Sequence, residues 1–483
     1  MARTSEVVHD PAPLGRKWAF ALGAFGSMAT HTAVGFFLSP FLLEIAAVSP
    51  YIVSICTFLG RVWDAITDPV VGLLVSRTNT RWGSLKPWIT MAIVPSAIVY
   101  FCFWIVPPFS EGQRGVYYII LYLLYQTFFS CYQVPYTALT MHISRDPKQR
   151  DQATAFRMVI ETLALMSGSA KRGYLISGGF VAVVSIVLGA VLVLGVPEDK
   201  SIKIPPPQSF WKTFKSLLKH KTYRTLTLMF LWAWMANNVN QTNFILWLNH
   251  GFGLAGDFQY FLITLLCTTT ATLPLWFKVM NKIGKPLSFA LGLVIQVPWT
   301  MANFFLPSDT QPWVIHLGIF TASIGLGAVY LIPWAMLPDV IDEAEWRYGT
   351  RKDSVYYSFF VFFQKFGSGI AISLSTLALN FADYKTKPCC GVPQPPTVRE
   401  TLKYLVSVVP TILLFLSLLF TRYYELGPKQ TLLIKQKLEE RRKRLQSEAV
   451  DETVPLRHNA DESPKSNGSL TMDEDPIQSS SSV

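Results

Sequence analysis

Charge is what this sequence has least of. Only 15% of its 483 residues are Asp, Glu, Lys or Arg, and 51% are hydrophobic. Soluble domains carry about 25% charged residues. A water-soluble globule this apolar would lack the polar side chains to cover its surface, a requirement that lipid removes. Cysteine is also sparse. Of the six, Cys56, Cys102, Cys131 and Cys267 lie inside apolar runs, where the thiol behaves as a small hydrophobe. Cys389 and Cys390 are adjacent in a loop. No zinc-type or thioredoxin-type spacing occurs, which argues against metal-centre and redox chemistry. No nucleophile with a base partner is evident, so a membrane enzyme has no machinery to work with. Residues 1–17 lack a cleavable signal pattern, leaving the first apolar run to serve as the signal. The net charge of +11 does not indicate nucleic acid, because the basic residues sit in short loops rather than on a face interleaved with aromatics.

What is present is a recurring apolar run of about 20 residues, long enough to cross a ~30 Å hydrocarbon core. The runs fall at 18–43, 50–75, 88–106, 116–142, 152–170, 173–196, 223–249, 258–280, 286–306, 313–338, 354–380 and 400–424. Open strands cannot cross lipid and these runs are too long for barrel strands, so the expected class is an all-α polytopic membrane protein of about twelve transmembrane helices. Basic loops (Arg16/Lys17, Arg77/Arg81/Lys86, Arg145/Lys148/Arg150, Lys200 to Lys221, Lys278/Lys282/Lys285, Arg347/Arg351/Lys352) alternate with nearly bare ones at 44–49, 250–257 and 307–312. The positive-inside rule then puts both termini in the cytosol. Lys171/Arg172, read as a tight outer turn, and the loop 381–399 depart from the pattern.

A basic linker at 197–222, containing Pro205-Pro206-Pro207, separates two six-helix bundles at 18–196 and 223–424. The halves echo each other. Val134-Pro135-Tyr136-Thr137-Ala138-Leu139 matches Ile332-Pro333-Trp334-Ala335-Met336-Leu337, and Lys86-Pro87 matches Lys285-Pro286, at nearly one offset. A parallel repeat of this kind is the plan of the major facilitator fold, with its site between the halves at mid-membrane. The cytosolic tail, 425–483, divides into a basic stretch at 428–446, expected to form a helix against the anionic inner leaflet, and a Ser/Asp/Glu/Pro-rich segment expected to be disordered beyond about 447.

Ionisable side chains inside these runs are functional hypotheses by default. Asp64 and Asp68 stand four apart in the second run, which stacks them on one helical face. Two close carboxylates need a cation or a proton between them, and hard oxygen ligands suit Na⁺ as they suit other hard cations. The competing reading is a structural pair with Asp64 bonded to Arg61. Lys365, midway along the eleventh run, needs a counter-charge. It couples to the carboxylates, holds a substrate anion, or snorkels into a cavity. Arg157 and Glu161, four apart in the fifth run, form either a packing ion pair or a site where guanidinium grips an anionic headgroup. Gln126, Ser130 and Gln133 make a polar stripe on the fourth run, the kind of stripe that commonly faces neighbouring helices. Asp339, Asp342, Glu343 and Glu345 follow the tenth run, as gating ion pairs between the halves or as a solvated loop.

These residues carry a family resemblance. Gly60-Arg61-Val62-Trp63-Asp64-Ala65-Ile66-Thr67-Asp68-Pro69, with Arg81-Trp82-Gly83-Ser84-Leu85-Lys86-Pro87-Trp88 and Met336-Leu337-Pro338-Asp339-Val340-Ile341-Asp342, resembles the glycoside–pentoside–hexuronide cation symporters of the major facilitator superfamily. Val134-Pro135-Tyr136-Thr137-Ala138-Leu139-Thr140-Met141, Ala153-Thr154-Ala155-Phe156-Arg157-Met158 and Phe362-Phe363-Gln364-Lys365-Phe366-Gly367-Ser368-Gly369 are similar to the animal sodium-dependent lysophosphatidylcholine symporters within it, whose relatives export sphingosine-1-phosphate. The resemblance implies Na⁺ coupling through Asp64 and Asp68 with Lys365 nearby, and places Ser130 on a cation-site position. It also implies a lysophospholipid substrate, a monomer in the plasma membrane and no cofactor. Sugar-carrying members place an acidic residue soon after the Gly-Ala-Phe-Gly of the first helix and an Asp before the helix-four Val/Ile-Pro; here Ser27-Met28 and Gln133 stand instead. The lysolipid symporters also carry a long glycosylated outer loop between helices five and six, with a cysteine linked to the loop between helices eleven and twelve. Here that loop is missing at Lys171/Arg172, which leaves Cys389 and Cys390 without that partner. Export of sphingosine-1-phosphate and sodium-coupled sugar symport are the alternatives within the same family, and a non-transporting lipid sensor on the same fold is the alternative from another class.

Overall fold

The computed structural model describes residues 14–143, 171–196, 215, 217–254, 257–349, 353–386 and 394–441. These residues are almost wholly helical: α1 (Leu14–Pro40), a π-helical turn (Phe41–Ile45), α2 (Pro50–Arg77), α3 (Lys86–Phe103), α4 (Glu111–Ile143), α5 (Lys171–Gly195), α6 (Lys221–Phe252), α7 (Phe258–Ile283), α8 (Lys285–Ala302), α9 (Pro312–Tyr348), α10 (Asp353–Phe381), α11 (Pro396–Val406) and α12 (Val408–Arg422). The expected run at 152–170, with Arg157 and Glu161, lies outside the described residues, as do Cys389 and Cys390. Seven of the described helices are long and apolar enough to cross a membrane. α2 has 28 residues but carries Arg61, Asp64 and Asp68 in its middle.

Local chemistry sets the ends. Pro opens α2, α3, α8, α9 and α11 in the first turn, where its missing N–H costs nothing. Gly253 (φ 71°) and Gly349 (φ 74°) close α6 and α9 in the left-handed conformation. Pro40 has no N–H to continue the ladder of α1. The chain widens there into the π turn, with Ala46 N–H donating to Phe41 O at 2.9 Å.

α1 packs on α5, α2 on α4, and α3 on both α4 and α5; α8 packs on α9, α9 on α7, and α6 on α10, α11 and α12. The two sets meet where α10 lies along α2 and α1 along α6. The large apolar side chains left outward, such as Phe180, Leu194, Phe305 and Phe381, fit lipid contact rather than water.

Three expectations are corrected. α9 does not stop at 338 but continues to Tyr348. Asp339 and Glu343 are therefore buried helical residues rather than a solvated loop: Asp339 pairs with Lys285 and with Lys435 (3.0 Å), and Glu343 with Arg347 (2.6 Å). All these partners follow residue 220, so the pairs knit the second set of helices together rather than bridging the two sets. Lys171 and Arg172 lie in the helix α5 rather than in a turn. The tail is helical over 428–441, but Ile434 and Leu438 bury against the core of α6, α9 and α10 rather than facing lipid alone.

α8 and α9 cross closely because Gly325 faces the Gly292 carbonyl, where an added Cβ would sit 2.3 Å from that oxygen. Gly325→Val is expected to cost about 1–3 kcal/mol by overpacking. The check is the melting temperature of the purified chain, which should fall, while Ala322→Val on the same helix serves as the comparison.

Candidate functional site

The site is built where α2, α4 and α10 converge. Gly369 on α10 sits so close to α2 that an added Cβ would lie 2.7 Å from Arg61 Cβ. Lys365, four residues earlier on the same face, is thereby carried to the carboxylates. Its Nζ donates to Asp64 Oδ1 at 2.7 Å and to Asp68 Oδ2 at 2.5 Å. From α4, Ser130 Oγ donates to Asp68 Oδ1 at 2.6 Å, with Asp64 Oδ1 at 3.3 Å. Thr67 Oγ1 lies 3.0 Å from Ser130 Oγ. On the far side of Asp64, Arg61 Nη1 is 4.0 Å from Oδ2 and 3.5 Å from His31 Nε2.

Two carboxylates thus face two cationic side chains, and the cluster is neutral overall. That balance is required, because one unpaired charge at this depth costs several kcal/mol. Exposure is graded: the Asp64 side chain is fully buried, Lys365 is 15% exposed and Asp68 21%. Asp68 is thus the more open side of the cluster and Asp64 the sealed one. The donor set around Lys365 is all hard oxygen, of the type Na⁺ takes, while Asp64 Oδ2, on the Arg61 side, is buried with no hydrogen-bond partner. Lys365 Nζ occupies the position between the carboxylates that a bound cation would take.

The structure thus brings together Asp64, Asp68, Ser130 and Lys365. Gln126 is fully buried, with neither amide atom hydrogen-bonded, and Gln133 Oε1 is buried without a partner; neither contacts a carboxylate in the described set of bonds. His31 and Thr67 were not singled out from sequence. Thr67 lies inside the Asp64–Asp68 motif on the same turn, and His31 is a lone imidazole in an apolar run, a signal that was available.

A separate cavity of about 110 Å³ opens among α6, α8 and α9. Phe244, Trp247, Trp299, Ile319 and Leu326 line it, with Asn237 and Gln296 as its polar edge. Gln296 Nε2 donates to Asn237 Oδ1 at 2.5 Å, and its Oε1 is unpaired.

Bundled apolar helices enclosing charged groups at mid-depth define a polytopic membrane transporter. Its fold is that of the major facilitators: a bacterial homologue of the human lysosomal transporter Spinster, in an inward-facing and unoccupied conformation, superposes with a TM-score of 0.64 at 13% identity, over 85% of this chain and 97% of that one. The nucleoside transporter NupG gives 0.61. The family model described as MFS/sugar transport protein matches residues 19–427. The chain is 33% identical to sodium-dependent lysophosphatidylcholine symporter 1-B of Danio rerio, over 90% of this chain and 92% of that protein. It is 32% identical to the Homo sapiens symporter 1 over 90% of each, and 31% identical to a sphingosine-1-phosphate transporter of Xenopus tropicalis over 84% and 87%. The chain belongs to the MFS/sugar transport family, in the branch that holds these lipid transporters.

Lys365→Met leaves two carboxylates facing Arg61 alone. It is expected to destabilise the chain by about 3–5 kcal/mol, and adding Asp68→Asn should recover most of that. Thermal unfolding of the single and double variants in sodium-free buffer checks this; purely additive losses would contradict the pairing.

Proposed function

We propose that this chain is a sodium-coupled symporter of lysophosphatidylcholine-like lysophospholipids that works by alternating access. The observation that carries the reading is the Lys365 ammonium held between Asp64 and Asp68, where a cation could take its place. Arg61 is sealed in and supplies one positive charge permanently. The second is either Lys365 or a sodium ion, since the oxygen cage cannot hold both at once without excess charge. Sodium entry past Asp68 would release Lys365 from α2, loosening the α2–α10 contact that joins the two sets of helices and freeing the ammonium for the substrate's phosphate. Ser130 would join the carboxylates as a sodium ligand.

Arg157, with Glu161 four residues further along the sequence, would meet the phosphate, and Gln126 and Gln133 would offer amide groups near the path. The cavity lined by Phe244, Trp247 and Trp299 suits an acyl chain, because it is apolar and uncharged. No covalent step is needed, so the protein works without enzymatic chemistry and without a cofactor. We place it as a monomer in the plasma membrane, both termini cytosolic, with the moving halves at 18–196 and 223–424. Export of sphingosine-1-phosphate is the second reading, favoured by the 31% identity to such a transporter; the lysophosphatidylcholine reading stands ahead on the higher identities.

Cells expressing the chain should take up labelled lysophosphatidylcholine with Na⁺ outside and fall to background with choline in its place. Asp68→Asn should reduce uptake by about two orders of magnitude, as loss of a coordinating carboxylate does. Uptake indifferent to Na⁺ would assign the pair to protons or to structure.

A further inference from the structure

The end of the bundle opposite Arg77 and Lys285 holds a second charged cluster that the sodium site does not use. The π turn after Pro40 projects Glu44 from the end of α1 toward the second set of helices. Its Oε1 accepts from Asn249 Nδ2 at 3.2 Å and from the Tyr384 hydroxyl at 3.3 Å, and lies 3.0 Å from His250 Nε2. His250 Nε2 is also 3.2 Å from the Tyr384 hydroxyl. One carboxylate oxygen thus gathers donors from the last turn of α6 and from the segment after α10, across the seam between the two sets of helices. Ser54 Oγ, on α2, donates to Ser373 O on α10 at 2.9 Å; in the orientation proposed above, this seam is the outer one.

We propose that Glu44 and His250 form a pH-responsive latch on this end of the transporter, closed most tightly when the imidazole is protonated. A protonated His250 gives Glu44 a charge-assisted hydrogen bond, roughly twice as strong as the neutral one. Losing that proton as pH rises leaves only the neutral hydrogen bond, so the latch weakens toward alkaline pH. The end must open in every alternating-access cycle, so acid on this side slows the opening step. The titratable groups in contact with His250 are Glu44 and Tyr384. Burial and the neighbouring Glu44 carboxylate push the Tyr384 phenol well above its ordinary range, so it remains a neutral donor throughout. Asp257 before α7, Glu111 and Arg114 on α4, Asp309 before α9, Asp383 and Lys385 beside Tyr384, and Arg399, Glu400 and Lys403 on α11 are further charged groups at this end among the described residues. No ion pair between any of them and Glu44 or His250 occurs among the described residues.

The test needs no substrate, so it stands or falls separately from the lipid reading. In the purified full chain with its six native cysteines replaced by serine, Ser54→Cys reports opening of the seam by maleimide labelling. Asn79→Cys, exposed at the opposite end, corrects for the pH dependence of thiol reactivity. The corrected labelling rate at Ser54→Cys should rise about three- to tenfold from pH 5.8 to 8.0. It should be high and flat in His250→Gln, which keeps a donor for Glu44 and so preserves the fold, and equally flat in Glu44→Gln. A flat profile in the parent, or a profile that persists in either variant, overturns the latch.

Discussion

Everything in this molecule turns on two carboxylates one helical turn apart in a segment otherwise suited to lipid. Asp64 is fully buried and cannot stay ionised alone, nor can Asp68 stand beside it without a neighbouring positive charge. The fold answers with Arg61 on the same helix and Lys365 on another. The second answer is the consequential one, because Lys365 belongs to α10 and its ion pairs hold α10 against α2. The charge that satisfies the site is also a clamp between the two sets of helices. On the proposed function, a sodium ion would satisfy the same oxygens without clamping anything, and that difference would couple ion binding to shape.

The rest of the architecture serves this arrangement. Gly369 lets α10 approach Arg61 closely enough for Lys365 to reach across. Ser130, from α4, holds the carboxylate oxygens in place, and Thr67 on α2 holds Ser130. At one end the Glu44 cluster draws together elements from both sets, while near the other end the Asp339 and Glu343 pairs stiffen α9, α8 and the tail helix into a unit.

Most of the helical plan was legible in the sequence because lipid demands long apolar runs and few charges, so each departure from that rule stood out. The spacing of Asp64 and Asp68 placed both on one face, and the solitary lysine at 365 called for a counter-charge. Other features were not readable, for physical reasons. The run at 313–338 was cut at Pro338, yet α9 continues because its buried acids are neutralised by Lys285 and Lys435, which arrive from other elements, and by Arg347 one turn further along α9. The tail read as a membrane-surface helix because Ile434 and Leu438 look the same to lipid as to a protein core. The Glu44–His250 contact depends on a helix crossing and a π turn, neither of which leaves a periodic mark.

The central claim, that Lys365 and sodium compete for one cage of oxygens, is most directly tested by sodium-dependent thermal stabilisation of the purified chain. Stabilisation follows RT ln(1 + [Na⁺]/Kd) for a ligand that binds only the folded state. The account predicts that the chain is stabilised by Na⁺ and not by choline, that Asp64→Asn loses the effect, and that Lys365→Met binds Na⁺ more tightly because the internal competitor is gone. A Lys365→Met variant that binds sodium with unchanged or weaker affinity would contradict it.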